Sequence, residues 1–308
     1  MTLKDDRPGP GARPVHSLTS DVLSAVRAAG LATASDAKRE FEFTAADFDR
    51  IKRLIHEHAG IVLSPTKQDM VYGRLARRLR DRRLRNFAEY LDRLSGDRME
   101  WEAFVNALTT NLTSFFREAH HFDILTERLK KPGIDRPYQI WCCAASTGEE
   151  AYSLAMTACE AFATLSPPVR IVATDINTTV LADARRGVYG EDRVVGLKPG
   201  YLKKYFVPDS GGTYRVKAEL QRLITFSRLN LLETGWSVKG PLDAIFCRNV
   251  MIYFDKRTQY DILKRFVPLL KPDGALFAGH SESFLHAADL FKPLGRTVYQ
   301  RADVAGKA

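Results

Sequence analysis

The fold class follows first from the segment Tyr138-Gln-Ile-Trp-Cys-Cys-Ala-Ala-Ser-Thr-Gly-Glu-Glu150. Its first eight residues are almost all apolar, which is typical of a strand that is buried on both faces of a parallel sheet. The following Ser-Thr-Gly predicts a turn, and Glu149 begins a helix that we expect to continue to about residue 161. A buried strand, a tight turn and a helix form the repeating unit of α/β folds.

The same alternation continues toward the C-terminus. Val169–Asp175 is predicted to be a second strand, and Thr178–Arg186 the helix that follows it. Further strands are predicted over 223–230, 242–249 and 274–279, and a helix over 255–270. This order predicts a mostly parallel, doubly wound α/β sheet with helices on both faces. Two hairpins interrupt it: an inserted one at about 201–222 and one at 291–301 that adds antiparallel edge strands.

Before residue 113 the apolar spacing is helical. Phe48, Ile51 and Ile55 fall on one helix face behind Thr44, a residue type that caps helix N-termini. We therefore expect a small all-α domain over residues 41–112. A linker segment, 113–136, is predicted to hold a helix over residues 114–131, and the sheet domain covers 137–303. The first 40 residues, rich in proline and small residues, are expected to form a flexible tail.

The composition and charge limit which classes of partner and function suit the chain, but they do not identify one of them. The 308 residues carry 46 Lys and Arg against 37 Asp and Glu, a formal net charge of +9, which favours nucleic acid, an anionic membrane surface or an acidic protein as partner. The four cysteines lack the two-residue spacing of metal or redox motifs, so we expect buried, reduced thiols and no metal. We find no signal peptide and no apolar run of about 20 residues, which predicts a soluble, cytoplasmic protein without membrane insertion.

Two features lie where a doubly wound sheet binds its ligands, beyond the carboxyl ends of the strands. The loop over residues 144–150 holds one glycine and an acidic pair, instead of the glycine-rich loop that a pyrophosphate needs. It favours a ligand with positive groups, such as the ammonium and sulfonium of S-adenosylmethionine (SAM). The alternative is that Glu149 and Glu150 only complement the helix dipole. Asp175 ends the second strand, where a carboxylate can hold both hydroxyls of a ribose.

Polar side chains also follow two later strands. Asn230 and Asn249 each end an apolar strand and are therefore placed for ligand contact. Tyr253 lies one turn beyond Asn249, where its hydroxyl would reach the reacting groups, although a tyrosine of the core or rim is the alternative.

Four stretches together resemble the chemotaxis receptor glutamate methyltransferase (CheR) family. They are Thr110-Asn-Leu-Thr-Ser-Phe-Phe-Arg-Glu118, Ala145-Ser-Thr-Gly-Glu-Glu150, Ala173-Thr-Asp-Ile176 and Phe246-Cys-Arg-Asn-Val-Met-Ile-Tyr-Phe254. The resemblance extends over about residues 41–301. It implies a class I, Rossmann-like SAM methyltransferase with a small β-subdomain, preceded by an all-α receptor-recognition domain. It also implies a protein-glutamate O-methyltransferase that methylates methyl-accepting chemotaxis receptors and leaves S-adenosylhomocysteine as its product.

The resemblance implies roles for particular residues. Arg117 and Tyr253 would orient the substrate near the transferred methyl group and are the expected catalytic residues. Glu149 would bind the amino-acid end of SAM, with Glu150 as the less favoured substitute, and Asp175 would bind the ribose. The remaining expected cofactor contacts are Asn111, Thr113, Arg117 again, Asn230, Leu231, Asn249 and Val250.

One predicted helix, over about residues 70–85, is strongly basic. Its spacing gathers five arginines on one side with no acid among them: Arg74, Arg77, Arg78, Arg82 and Arg85. Such a face fits an acidic helical protein better than nucleic acid, because no aromatic side chains for base stacking flank it. A merely solvated face is the alternative. Since the resemblance implies receptors that are glutamate-rich helical coiled coils, we expect this face to bind the receptor.

The sequence also leaves one alternative function open and favours some partners over others. A SAM-sensing interaction module without transfer activity is the alternative function. A nucleic-acid methyltransferase is disfavoured because Asn249-Val-Met-Ile lacks the prolines of the motif in that class. The short turn Pro208-Asp-Ser-Gly-Gly-Thr213 in the inserted hairpin indicates independence from a tether peptide at the receptor C-terminus. Nothing in the sequence demands more than a monomer.

Overall fold

The computed structural model describes residues 39–131 and 136–303. The tail expected over residues 1–40 therefore lies almost wholly outside the described residues. Within the described ranges, no helix is both long and apolar enough to cross a bilayer, and no cluster of His, Cys, Asp and Glu is arranged to hold a metal ion. All four cysteines are buried and unpaired.

Four α-helices occur between residues 39 and 109: α1 (Ala45–Ala59), α2 (Gln68–Arg82), α3 (Phe87–Leu94) and α4 (Arg98–Leu108). Thr44 caps α1 in a reciprocal capping box with Asp47, while Asn86 and Asp97 accept N–H bonds at the starts of α3 and α4. Each helix buries one apolar stripe. The stripes include Phe48, Ile51, Ile55, Leu75, Leu79, Phe87, Leu91 and Phe104. The predicted small all-α domain is confirmed.

The linker differs from its prediction. Residues 111–114 have no regular secondary structure, residues 115–119 form turns and bends, and helix α5 (His120–Leu129) starts at residue 120 instead of 114. Phe116 and Glu118 have φ values of 52° and 57°, in the left-handed region that interrupts an α-helix. The N–H of Phe116 donates to Ser153 Oγ at 2.9 Å, which ties the turn to the sheet domain. Contacts distant in sequence therefore override the helical pattern of this segment.

Ten strands occur in the described residues: β1 (Tyr138–Cys142), β2 (Val169–Asp175), β3 (Val188–Gly190), β4 (Phe206–Pro208), β5 (Thr213–Val216), β6 (Ile224–Arg228), β7 (Leu242–Cys247), β8 (Leu270–Ala278), β9 (Phe291–Gly295) and β10 (Val298–Arg301). The main sheet has the order β6-β2-β1-β7-β8-β10-β9. Its first five strands pair in parallel, whereas β10 is antiparallel to both β8 and β9. The chain moves outward from β1 to β2 and β6 and then returns to β7, so the strand order reverses between β1 and β7. The predicted doubly wound sheet with an antiparallel edge is confirmed.

Three long helices cover the two faces of the sheet together with α5: α6 (Glu149–Phe162), α7 (Thr178–Arg186) and α11 (Lys256–Phe266). Along β1, Ile140 and Cys142 belong to the apolar core that includes Leu154 of α6. The intervening Trp141 belongs to the opposite core, which includes Phe266 of α11. Apolar residues are thus needed at successive positions of β1, which explains its unbroken apolar run.

A second sheet forms the inserted β-subdomain. It has three antiparallel strands in the order β3-β5-β4, with short helices α8 (Glu191–Val194) and α9 (Tyr201–Tyr205) between β3 and β4, and α10 (Ala218–Gln221) after β5. The predicted hairpin corresponds to β4 and β5. The subdomain itself begins at residue 188 instead of about 201, because the short β3 also pairs with β5.

The end of α1 is fixed against the carboxyl ends of the sheet strands. Asn230 Nδ2 donates to the carbonyl oxygen of His58 at 2.6 Å, and the N–H of Val62 donates to the carbonyl oxygen of Tyr253 at 2.9 Å. Gly60 ends α1 with a φ of 68°, a conformation that favours glycine. The helical domain is therefore bonded directly to the edge of the sheet where ligands are expected.

Candidate active site

A cavity of about 540 Å³ lies between the helical domain and the strand ends, a size typical of small-molecule sites. The end of α1 and the linker turn line one side. Segments at the carboxyl ends of four adjacent parallel strands line the other side: residues 143–146 after β1, 175–176 at the end of β2, 229–231 after β6 and 248–250 after β7. The cavity therefore lies at the topological switch point, where doubly wound folds bind ligands.

Most of the sequence-predicted site residues line this cavity. Those that do are Asn111, Thr113, Arg117, Asp175, Asn230, Leu231, Asn249, Val250 and Tyr253. Those that do not are Glu149 and the five arginines of the basic face, Arg74, Arg77, Arg78, Arg82 and Arg85. The residues from the linker and from three strand ends thus meet at one place, as expected.

Asp175 presents a buried carboxylate at the end of β2. Its Oδ2 accepts the N–H of Ser146 at 2.8 Å, and its Oδ1 accepts the N–H of Asn177 at 2.9 Å. Burial raises the pKa of Asp175, although these N–H bonds act in the opposite direction. Since a carboxylate offers about four acceptor sites, Asp175 keeps acceptor capacity for a further donor. The hydroxyl groups of a ribose would supply such donors and favour the ionised carboxylate.

Glu149 does not line the cavity in this geometry. Glu149 is fully buried away from the cavity, where its carboxylate pairs with Arg193 and accepts a bond from Thr147 Oγ1 at 2.7 Å. Glu150 lines the cavity instead, with Arg248 Nη1 at 2.7 Å from its Oε2. Successive helical residues point about 100° apart, so the two side chains face different surroundings. Glu150, the less favoured substitute, is the carboxylate that can meet a ligand ammonium.

Unusual backbone conformations are concentrated in the segments around the cavity. Four non-glycine residues there have φ between 48° and 57°: Phe116, Glu118, Ser146 and Asn249. Such residues cost about 1–3 kcal/mol each and cluster at functional sites. Phe116 and Glu118 flank Arg117, whose Nη1 donates to the carbonyl oxygen of Leu112 at 3.0 Å. The conformation of the linker turn therefore directs the Arg117 side chain to the cavity.

A buried ionic network includes two residues that line the cavity, Arg248 and Glu150. Arg248 has a fully buried side chain, and its guanidinium lies 2.7 Å from Glu150 and 3.2 Å from Glu118 and also donates to the carbonyl oxygen of Arg117. Burial alone would raise the pKa of Glu118. Hydrogen bonds from His280 and the charge of Arg248 outweigh burial and lower this pKa from 4.5 to about 2. Sequence reasoning missed Arg248. Its signal was an arginine at the end of an otherwise apolar strand, which needs buried partners.

The arginines of the basic face are mostly engaged within the helical domain. Arg74 Nη1 donates to three carbonyl oxygens at the end of α4, those of Ala107, Leu108 and Thr109. Arg78 and Arg82 both donate to Glu100 of α4. The predicted face is therefore not free of acids at Arg78 and Arg82, because Glu100 comes from another helix and Asp81 of α2 also lies 3.1 Å from Arg78. Arg77 and Arg85 are exposed, and their guanidinium groups form no ion pair within the described part of the chain.

The strand order, the cavity at the switch point and the two carboxylates that suit a ribose and an ammonium define a class I SAM-dependent methyltransferase. Residues 111–300 match the family model described as CheR methyltransferase, SAM binding domain, and residues 46–109 match CheR methyltransferase, all-alpha domain. The chain belongs to the CheR methyltransferase family.

Similar proteins carry corresponding names. Chemotaxis protein methyltransferase 2 of Pseudomonas aeruginosa is 50% identical over 86% of this chain and 96% of its own length. The chemotaxis protein methyltransferase of Escherichia coli is 51% identical over 82% of this chain and 90% of its own, and that of Salmonella typhimurium is 52% identical over 82% and 89%. The similarity spans both the helical and the sheet domain.

Proposed function

We propose that this methyltransferase forms methyl esters on glutamate side chains of methyl-accepting chemotaxis receptors, with S-adenosylhomocysteine as the second product. One observation carries the proposal: Arg117 and Tyr253, from the linker turn and from the segment after β7, line the same cavity as the strand-end residues suited to SAM. Both side chains are half-buried, so a substrate side chain that enters the cavity can reach them.

The residues around the cavity fit SAM. Asp175 would hold the ribose hydroxyls and Glu150 the ammonium group, while Asn111, Thr113 and Arg117 would contact the cofactor from the linker side. Asn230 and Leu231, with Asn249 and Val250, would line the adenosine and sulfur region. When bound, SAM supplies an electrophilic methyl group on a sulfonium.

The substrate carboxylate needs no general base. The reference pKa of glutamate is about 4.3, so the nucleophile is already ionised at neutral pH. The protein's contribution is then to align the carboxylate with the methyl group and to exclude water from it. Arg117 can orient the carboxylate by paired hydrogen bonds, and the Tyr253 hydroxyl can donate one further bond. The helical domain, which covers the cavity, limits access of water.

The exposed part of the basic face supports an acidic helical partner. Arg77 and Arg85 are exposed on and just after α2, whereas Arg74, Arg78 and Arg82 hold α2 to α4. We infer that Arg77 and Arg85 make the long-range contribution to binding of a glutamate-rich receptor coiled coil. The turn between β4 and β5 covers only Asp209–Gly212, which supports independence from a receptor tether peptide.

The test is transfer of a labelled methyl group. Purified protein is incubated with tritiated SAM and membranes that contain chemotaxis receptors, and methanol released by base is counted. We expect base-labile label on the receptor from the wild type and at least about 100-fold less from Arg117→Ala. Binding of S-adenosylhomocysteine without ester on any receptor would overturn the proposal and favour the SAM-sensing module without transfer activity.

A further inference from the structure

Glu282 is a buried carboxylate that the chemistry above does not use. It lies four residues after β8 and is only 4% exposed. Its Oε1 accepts the N–H groups of Val250 at 3.0 Å and Met251 at 2.8 Å. Its Oε2 accepts the N–H of Asn249 at 2.9 Å and that of Gly279. One side chain therefore satisfies four backbone donors, three of them consecutive.

The three consecutive donors belong to the segment that carries the site. Asn249 and Val250 line the cavity. Met251 begins a short 3-10 turn that ends at Tyr253. Asn249 has a φ of 56°, in the left-handed region, so its backbone requires support from its surroundings. Glu282 supplies that support at the point where β7 ends and the turn toward Tyr253 begins.

We propose that Glu282 is a positioning residue for methyl transfer, which holds the backbone of residues 249–251 so that Asn249 and Val250 face the cofactor and Tyr253 faces the substrate. The proposal rests on the proposed role of Tyr253. An ionised carboxylate suits the task because its two oxygens offer about four acceptor sites, whereas a glutamine would oppose its own NH₂ group to two of the backbone donors. Burial raises the pKa of Glu282, and the N–H bonds from Gly279, Asn249 and Met251 counteract that effect.

The experiment compares Glu282→Gln, Tyr253→Phe and the double variant. For Glu282→Gln we expect kcat to fall roughly 10- to 100-fold, while the KM for the receptor stays within about twofold, because the arginines proposed to attract the receptor, Arg77 and Arg85, belong to the helical domain. Because Glu282 acts through the segment that carries Tyr253, the double variant should be as active as the less active of the two single variants. Independent structural damage would instead add to the effect of Tyr253→Phe.

Asp243→Asn is the matched control. Asp243 is also a buried carboxylate that accepts a backbone N–H, that of Gln139 at 2.8 Å, but it lies at the amino end of β7, at the edge of the sheet opposite the cavity. The same chemical change should leave its kcat within about threefold of wild type. Equal losses of kcat in both variants, or additive losses in the double variant, would overturn the positioning role.

Affinity for S-adenosylhomocysteine, measured by calorimetry, separates this proposal from the proposed function. If the wild type forms no ester on any receptor, the proposed function fails, yet the cofactor cavity still reports on Glu282. Glu282→Gln should then bind S-adenosylhomocysteine at least about fivefold more weakly than wild type, because Asn249 and Val250 line that cavity. An unchanged affinity would overturn the inference by itself.

Discussion

At the scale of single residues, two successive glutamates at the start of α6 have different surroundings: Glu150 lines the cavity, whereas Glu149 pairs with Arg193. We expect Glu150→Gln to weaken binding of S-adenosylhomocysteine by roughly 10- to 100-fold, since a hydrogen bond to a charged group contributes about 1.5–3 kcal/mol. Glu149→Gln is the control, because Glu149 faces Arg193 outside the cavity, and it should leave the affinity within about twofold. Calorimetry measures both values, and a larger loss in Glu149→Gln would contradict the assignment.

Glu149 and Glu150 also show how much of the site could be predicted from the sequence. The sequence located the acidic pair and the strand-end residues Asp175, Asn230 and Asn249, because polar residues after buried parallel strands converge at one sheet edge. It could not choose between Glu149 and Glu150. The choice depends on the rotation of α6 about its axis and on Arg193, which comes from the inserted subdomain. Arg248 was missed for a similar reason, since its partners Glu118 and Glu150 are distant in sequence.

At the scale of elements, Glu100 joins α2 and α4. It is only 3% exposed and accepts bonds from Arg78, Arg82 and Tyr90. Glu100→Gln should lower the free energy of unfolding by about 2 kcal/mol, less than the 3–5 kcal/mol of a fully buried pair because both arginines keep some contact with water. Urea unfolding followed by circular dichroism measures the change.

The control for Glu100 is another glutamate of the helical domain. Glu89 pairs with Arg93 on the surface of α3, and an exposed pair contributes at most about 1 kcal/mol. Glu89→Gln should therefore shift the urea midpoint much less than Glu100→Gln. Equal shifts would mean that Glu100 does not join the two helices. The sequence predicted a small all-α domain but not this junction, because helical periodicity contains no information about which helix faces which.

The linker turn gives a second prediction at this scale, for pH. The folded pKa of Glu118 is lowered to about 2 from its ordinary value of 4.5. A lowered folded pKa means that the stabilisation is fully present above about pH 4.5 and is lost as the pH falls toward 2; it is worth at most about 3 kcal/mol. The free energy of urea unfolding should therefore fall between pH 5 and pH 2.5, and fall less steeply in Glu118→Gln. Parallel curves for the two proteins would contradict the assignment.

At the scale of the whole molecule, the net charge of +9 acts on a partner only where it is unpaired and exposed. The sequence predicted one continuous cationic face on α2. In the structure that face divides into arginines that hold the helical domain together and arginines that remain exposed. Only the second group can attract an acidic coiled coil over distances near the Debye length, which is about 8 Å at physiological salt.

Charge reversal tests this division. We expect the double variant Arg77→Glu and Arg85→Glu to raise the KM for receptor membranes at least about tenfold at low salt, with kcat and S-adenosylhomocysteine affinity unchanged. The difference from wild type should shrink steeply toward 0.5 M salt, an ionic strength chosen because exposed charges are then screened within roughly 4–5 Å. The control is the double variant Arg170→Glu and Arg222→Glu, which has the same net charge as the first double variant. These exposed arginines lie near the amino ends of β2 and β6, away from the cavity. If it raised the KM equally, net charge rather than the exposed part of α2 would attract the receptor.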